Sequence, residues 1–333
     1  IMQTKDITMN LGSGGKEMHN FISSYIVEEL KNGILEKLDD AAVMENSNKA
    51  RIAMTTDSYV VSPVFFDGGD IGRLCVCGTV NDLSTSGAKP YALSLAFILE
   101  EGASIETIKI IIDSIKIAAK EADVKIVTGD TKVVEKGKGD KIYINTCGVG
   151  FIDNGVNIST HNAVIDDIVM ISGPIGNHEV AMMKARGMVT FDINIKSDVS
   201  PLNRKIEKLL EKTKQIHVIK DPTRGGLAGA LNEICKNSRC GIRIIEENIP
   251  VDPEVEAVCN LLGFDPMYLA NEGKYVIVCG KEDEIFVKQI FGTEAKVIGT
   301  VIRDEKAMVT LQAKSGGIRK LGMLETTQLP RIC

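Results

Sequence analysis

The sequence predicts an α/β fold, built as two domains of mixed sheets covered by helices. Three observations carry that expectation. Apolar strand-like runs alternate with amphipathic helical stretches, the pattern of a sheet covered by helices. The alternation restarts after a turn signal at Asp153-Asn154-Gly155. The chain has 333 residues, enough for two α/β cores. The expected organisation is a first domain over 1–155, a second over 156–312, and a flexible tail over 313–333.

In the first half, Glu17 to Leu30 reads as a helix and Arg51 to Thr56 as a strand. Asp70 to Gly87 reads as a helix with small residues on one side. Tyr91 to Leu99 and Val124 to Val127 are apolar runs of strand length, and Lys141 to Ile152 is a longer one. Between them, Ile105, Ile108, Ile112, Ile115, Ala119 and Ala122 keep a three–four spacing, which marks an amphipathic helix from about Ser104 to Ala122. In the second half, Ile168 to Ile171, Gly241 to Ile245, Lys274 to Cys279 and Ala295 to Ile302 read as strands. Pro201 to Thr213, with Leu202, Ile206, Leu209 and Leu210 facing inward, and Gly225 to Lys236 read as helices.

Composition removes several functions. The net charge is −6 with no basic stripe, which argues against nucleic acid as a partner. No apolar run approaches the roughly 18 residues needed to span a bilayer, and the first residues carry no charged-then-apolar leader. Seven of the eight cysteines lie in apolar or helical stretches and none forms a CxxC pair. They read as reduced thiols of a cytoplasmic protein, not as a zinc site. The four histidines, 19, 161, 178 and 217, are scattered.

Four short acidic motifs stand out: Asp39-Asp40-Ala41-Ala42, Thr56-Asp57-Ser58, Asn81-Asp82-Leu83 and Gly129-Asp130-Thr131-Lys132. Asp57 and Asp130 each follow an apolar run, at what reads as the end of a strand. Singly, each Asp also serves as a cap or turn residue. Converging carboxylates repel by about 1 kcal/mol at ~4 Å in water and by several in protein. A hard cation removes that penalty, and Mg²⁺ accepts carboxylates together with substrate phosphates. Gly12-Ser13-Gly14-Gly15-Lys16 is a glycine-rich loop before a helix, able to cradle phosphate through its N–H groups. It lacks the spacing of a Walker or dinucleotide fingerprint. Asp221-Pro222-Thr223-Arg224-Gly225-Gly226 opens a helix and offers Arg224 to phosphate, or caps that helix. Asn271-Glu272-Gly273-Lys274 reads as a polar turn carrying a carboxylate that can move a proton.

The sequence ends Pro330-Arg331-Ile332-Cys333. Only a thiolate attacks; Arg331, two residues back, would lower the thiol pKa, and the terminal carboxylate would oppose it. Ala313 to Leu329, punctuated by Gly316, Gly317 and Gly322, reads as a mobile arm. About twenty extended residues reach roughly 60–70 Å. The other reading of these residues alone is a frayed end.

Taken together, the motifs resemble the hydrogenase maturation factor HypE, nearly end to end. Besides those above, the resemblance rests on Ser58-Tyr59-Val60, Phe97 through Gly102, Val127 through Val134 and Ala270 through Lys274, with the closing Pro-Arg-Ile-Cys the most specific. Ala41 departs from the glycine or cysteine of many relatives. The resemblance implies a two-domain fold like that of aminoimidazole ribonucleotide synthetase (PurM) and a homodimer with ATP between subunits. It implies Mg²⁺ on Asp40, Asp57, Asp82 and Asp130, and nucleotide contacts from Gly12, Ser13, Gly14, Gly15, Asp221, Thr223 and Arg224. It implies that Cys333 receives a carbamoyl group from the carbamoyltransferase HypF. ATP then drives its dehydration to a thiocyanate, and the cyano group passes to iron on the HypC–HypD complex for the [NiFe]-hydrogenase centre. A base must take the N–H proton, and Glu272 and then Lys132 are the candidates. The alternative is a small-molecule kinase or synthetase of the same superfamily, of the selenophosphate synthetase or thiamine-phosphate kinase type, in which the tail is idle.

Overall fold

The computed structural model describes residues 15–30, 32–45, 51–324 and 329–333. The first helical segment is three pieces where one helix is expected: α1 (Gly15–Phe21), a π-helical turn over Ile22–Val27, and α2 (Glu28–Leu30). A five-stranded sheet follows, built from β1 (Ala42–Glu45) and β2 (Arg51–Tyr59), then, after a short ribbon of β3 (Phe65–Phe66) and β4 (Gly69–Asp70) and the helix α3 (Ile71–Thr85), from β5 (Ala88–Glu100). The helix α4 (Ile105–Ala122) leads to β6 (Lys125–Val134), and β7 (Ile142–Ile152) completes the sheet. The order is β1-β2-β7-β5-β6. Only β5 and β6 run parallel, because α4 carries the chain back between them.

Asp70 caps α3, its carboxylate accepting from Gly72 N at 2.7 Å and Arg73 N at 3.0 Å. Nearly every residue of α3 is buried. The small side chains seen in the sequence let it lie between β2 and β7 of the first sheet and β9 and α6 of the second half, introduced below. The α4 face differs from the expected stripe: Ile111, Ile115, Ala118 and Ala122 are buried, while Ile105 is 71% exposed. Isoleucine at four of the five positions from 108 to 112 hides the helical phase from a spacing argument.

The second sheet has seven strands, β8 (Ile168–Ile171), β9 (Ile216–Lys220), β10 (Gly241–Ile245), β11 (Val276–Cys279), β12 (Lys296–Ile302), β13 (Val309–Gln312) and β14 (Ile318–Lys320), in the order β14-β13-β10-β12-β8-β11-β9. Its helices are α5 (Asn177–Ala185), α6 (Asn203–Lys212), α7 (Gly226–Ser238), α8 (Pro253–Leu262) and α9 (Glu284–Phe291). The sheet is covered on both faces. α7 packs Leu227, Leu231 and Ile234 with Val169, Val218 and Val276. α6 and α9 pack Leu209, Val287 and Phe291 with Ile219 and Ile277. Residues 313–320, read from the sequence as the start of an arm, form the turn and second strand of the β13–β14 hairpin.

Asn81 of α3 joins the two halves. Its Nδ2 donates to Ser200 O at 3.0 Å, its Oδ1 accepts from Leu202 N at 2.8 Å, and its carbonyl accepts from Tyr275 OH at 2.8 Å. These bonds bury one polar side chain with its partners satisfied. They fix the groove between the halves, where the acidic motifs face the Asp221–Gly226 turn.

Candidate active site

That groove holds a cavity of about 270 Å³. β2 brings Asp57, α3 brings Asp82, and the loop before β1 brings Asp40. The turn from β9 to α7 brings Asp221, Thr223 and Arg224. Gly225 and Gly226, at φ of +80° and +60°, take that turn through the left-handed region. A side chain on Gly226 would stand 2.6 Å from the backbone at 268–269, so the paired glycines let α7 start against the cavity.

Glu272 enters from a support more rigid than a polar turn. The Asn271 side chain accepts from Gly176 N at 2.7 Å and donates to Pro222 O at 3.1 Å and Leu269 O at 2.9 Å. The Asp198 carboxylate accepts from Glu272 N and Gly273 N, each at 3.1 Å. Burial, then Asp198, Asp221 and Asp57, push the Glu272 carboxyl well above the usual range.

The acidic groups are costly together. Burial, then Asp57, Asp221 and Asp40, push Asp82 well above the carboxylate range. Burial also raises Asp57, against the opposing pull of Arg224 and of the Tyr59 hydroxyl that donates to it at 3.0 Å. Asp40 is pushed up to about 7 by burial, with Lys220 opposing. Lys220, despite burial that works against its charge, is held well above the lysine range by Asp40, Glu233 and Asp221. Lys220, Glu233 and His19 line the cavity and were not singled out as site residues from the sequence, while Tyr59 entered only as part of the resemblance. Lys220 carried the clearest signal, a lysine closing the apolar run Val218-Ile219 directly before Asp221.

Among the described residues, no three His, Cys, Asp or Glu side chains gather closely enough to ligate an ion by themselves. Asp40 Oδ2 is nonetheless buried without a hydrogen-bond partner. A buried orphan oxygen beside mutually repelling carboxylates fits a cation that brings most of its own oxygen ligands, as Mg²⁺ on a polyphosphate does.

Two expected residues stand elsewhere. Asp130 and Lys132 lie within the edge strand β6, not past its end, and Asp57 likewise lies within β2. The Lys132 ammonium donates to the Asp130 carboxylate at 2.6 Å on an exposed surface, and neither lines the cavity of its own chain. The strand runs on through the motif because Ala96, Phe97 and Ile98 of β5 continue to pair with Asp130, Thr131 and Lys132. Gly12, Ser13 and Gly14 lie outside the described residues, while Gly15 lines the cavity.

Residues 329–333 dock inward. Leu329 and Ile332 join the apolar cluster of Tyr59, Phe66, Val199 and Leu269, and Cys333 lines the cavity. Arg331 turns away from the sulfur, donating to Val60 O at 2.9 Å and to the Asp140 carboxylate. The cation facing Cys333 is Arg224 instead. Burial pushes the thiol up to about 12, with Arg224 opposing and Glu272, Asp57 and Asp221 adding to the rise. In this position the sulfur is a protonated anchor and not a nucleophile, which corrects the expectation that Arg331 activates it. Seven hydrogen bonds and the buried side chains of Leu329 and Ile332 hold these residues in place.

Known proteins place this arrangement. Residues 38–152 match the family model of the AIR synthase related protein N-terminal domain, and 165–312 that of its C-terminal domain. A carbamoyl dehydratase HypE of Cupriavidus necator is 44% identical over 98% of this chain and 95% of its own length. A crystal structure of a HypE–HypF complex superposes with a TM-score of 0.86 at 46% identity, over 91% of this chain and 99% of that one. One of HypE in complex with ATP gives 0.82 at 42%, over 98% and 100%.

Proposed function

The chain belongs to the HypE family of carbamoyl dehydratases, and from that premise we propose that it dehydrates, at the expense of ATP, a carbamoyl group carried on its own Cys333. The observation that carries the reading is the seating of Cys333 in one cavity with Asp57, Asp82, Arg224 and Glu272. A free-substrate kinase with an idle tail would need the space that this sulfur enters.

The chemistry balances as follows. The carbamoyl oxygen attacks the γ-phosphorus of ATP, the bond to ADP breaks, and the nitrogen gives up one proton. The C–O bond then breaks with the second N–H proton leaving. The S-carbamoyl group and ATP become the protein thiocyanate, ADP and phosphate, with the two nitrogen protons passing to the base, the phosphate and solvent. Phosphorylation matters because phosphate leaves where hydroxide will not. A carbamoyl oxygen is a weak nucleophile, so holding it against the γ-phosphate supplies most of the advantage, up to roughly 7–11 kcal/mol. Arg224 meets the charge that builds on the transferred group. Glu272, the carboxylate that shares the cavity with Cys333, is placed to take a proton from the nitrogen. Mg²⁺ arriving with ATP would be held by Asp57, Asp82 and Asp40 and would offset phosphate charge. Lys220 keeps Asp40 oriented.

The reading extends to partners. Carbamoylation needs an ionised sulfur, so the tail leaves the cavity to meet the carbamoyltransferase HypF, then returns, then leaves again to give cyanide to iron on HypC–HypD, all in the cytoplasm. No helix among the described residues is long and apolar enough to cross a membrane. The exposed β6, with Val127 and Val133 more than 60% exposed, supports a homodimer in which Asp130 and Lys132 serve the nucleotide of the other copy.

Loading the chain with carbamoyl phosphate, ATP and the carbamoyltransferase, and following intact mass, tests the reading. The wild type gains a carbamoyl group and then loses water, whereas Cys333→Ser does neither. Cyanation of Cys333→Ser would end the proposal.

A further inference from the structure

A main-chain oxygen of each of the last four residues is met by a donor. Arg186 donates from Nη1 to Pro330 O at 2.8 Å and from Nη2 to Arg331 O at 2.5 Å. Ser62 N donates to the same Arg331 oxygen at 3.3 Å. His178 Nε2 bonds Ile332 O at 2.8 Å, and Val60 N bonds Cys333 O at 3.2 Å. Arg186 is itself fixed by donating through Nε to Ser62 O at 2.7 Å.

The His178 proton can be assigned. A carbonyl only accepts, so Nε2 carries the hydrogen. Nδ1 then accepts from the Ser197 hydroxyl at 2.8 Å, and Ser197 Oγ accepts from Val199 N at 3.1 Å. The ring is buried against Phe66, edge to face, with centroids 5.4 Å apart. It is a neutral donor locked in one tautomer. Arg331, meanwhile, is held at φ +56°, a conformation that a residue with a Cβ seldom adopts when free. The tail is thus shaped by its receptor.

Both donors come from one helix. His178 lies in its first turn and Arg186 immediately follows its last residue. Glu179 of the same helix accepts from Ala270 N at 2.7 Å, next to the segment that presents Glu272. One element therefore holds the carrier and steadies the catalytic carboxylate.

We propose that Arg186 and His178 are the positioning residues of the dehydration step: by claiming the main-chain oxygens of residues 330–332 they set the depth at which the Cys333 cargo meets the nucleotide. Neither lines the cavity, and neither touches a reacting atom. The inference rests on the carbamoyl dehydratase reading for its reaction, but the clamp itself is a statement about the tail. Main-chain recognition also fixes register, so inserting one alanine between Ile332 and Cys333 should disable the cargo while leaving the clamp occupied.

The test uses the full chain, carbamoylated on Cys333 and then given ATP in a single turnover. It is paired with iodoacetamide labelling of Cys333 in the unloaded protein, read by peptide mass mapping. Arg186→Met and His178→Leu are expected to slow dehydration at least about tenfold, since small misplacements cost that much or more. Labelling of Cys333 should rise severalfold, with ATP affinity within twofold. His178→Gln, whose amide N–H replaces Nε2–H, should recover much of the loss, and Arg186→Lys some. Unchanged dehydration and labelling in Arg186→Met and His178→Leu would overturn the clamp. So would slower dehydration with no rise in labelling and an equal loss of ATP binding, which marks damage to the fold. A wild type that never dehydrates its cargo would instead remove the function reading, while the labelling comparison still decides whether the clamp holds the tail.

Discussion

Arg224 and Cys333 share the cavity, where the guanidinium works against the burial that raises the thiol. The guanidinium also acts on Asp57, Glu272 and Asp82, with Lys220 acting on Asp82 as well. Arg224→Gln should therefore cut single-turnover dehydration by about 10²-fold, the usual loss when a charge-stabilising donor is removed. Carbamoylation should be unaffected, because the sulfur accepts its cargo outside the cavity. Arg224→Lys should fall between, keeping charge but losing the fork. A full dehydration rate in Arg224→Gln would show that the charge is not used.

Burial of the thiol makes docking depend on pH, with Arg224 opposing. A free cysteine titrates near 8.5, and the docked thiol at about 12. The docked state holds its proton more tightly, so docking is fully favoured below about 8.5 and is lost progressively as pH rises toward 12. At pH 10 the loss amounts to about 2 kcal/mol. The Val60 amide, which donates to Cys333 O, reports it directly. Its hydrogen-exchange protection, corrected for intrinsic rate, should fall from pH 7 to pH 10 in the wild type and stay flat in Cys333→Ser. Equal profiles would mean that the thiol does not govern docking.

What the sequence allowed followed the strength of local signals. The strands β2, β5, β7, β8, β10, β11 and β12 and the helices α3, α4, α6 and α7 were legible because each is a single apolar run or stripe between turn residues, whereas β9, α5, α8 and α9 were not read. The α4 face was not, since neighbouring isoleucines fit two phases. The β13–β14 hairpin was hidden in Gly316 and Gly317, which read as looseness and in fact make a tight turn. The acidic motifs announced themselves by type, and three of the four do meet. Asp130 does not, because the strand β6 runs on through the motif and leaves it on an exposed edge. The clamp residues His178 and Arg186 were invisible for a different reason. Their roles arise from residues more than a hundred positions away.

Asp82 is among the carboxylates that burial and its neighbours hold well above the usual range, and its removal should separate stability from function. Its pKa lies above the unfolded value, so the stability linked to its protonation is present below about 4 and is lost as pH rises through the folded pKa. Asp40 follows the same course up to about 7. Asp82→Asn keeps an oxygen for the Thr55 hydroxyl, which donates to Asp82 at 2.9 Å, and sheds the charge. Without ligand at pH 8 the variant should melt a few degrees higher, as ~1 kcal/mol implies for a domain of this size. The rise in Tm produced by Mg-ATP should shrink. An unaltered ligand-induced shift would take Asp82 out of the metal site.

Asp130 gives the sharpest test of the dimer. It sits on an exposed edge strand beside Lys132, outside the cavity of its own chain, while Arg224 lines that cavity. If each nucleotide is served by Arg224 of one copy and Asp130 of the other, Asp130→Ala and Arg224→Gln are both inactive alone. Mixed in equal amounts and allowed to exchange subunits, half the dimers become heterodimers, each with one intact site. The mixture should recover about a quarter of wild-type activity, as a two-fold shared site requires. Val133→Glu, placing a charge on the same exposed strand, should lower the mass in solution to that of one chain and prevent the recovery. Full activity of Asp130→Ala by itself, or a mixture as inactive as its components, would mean that the strand contributes nothing across the interface.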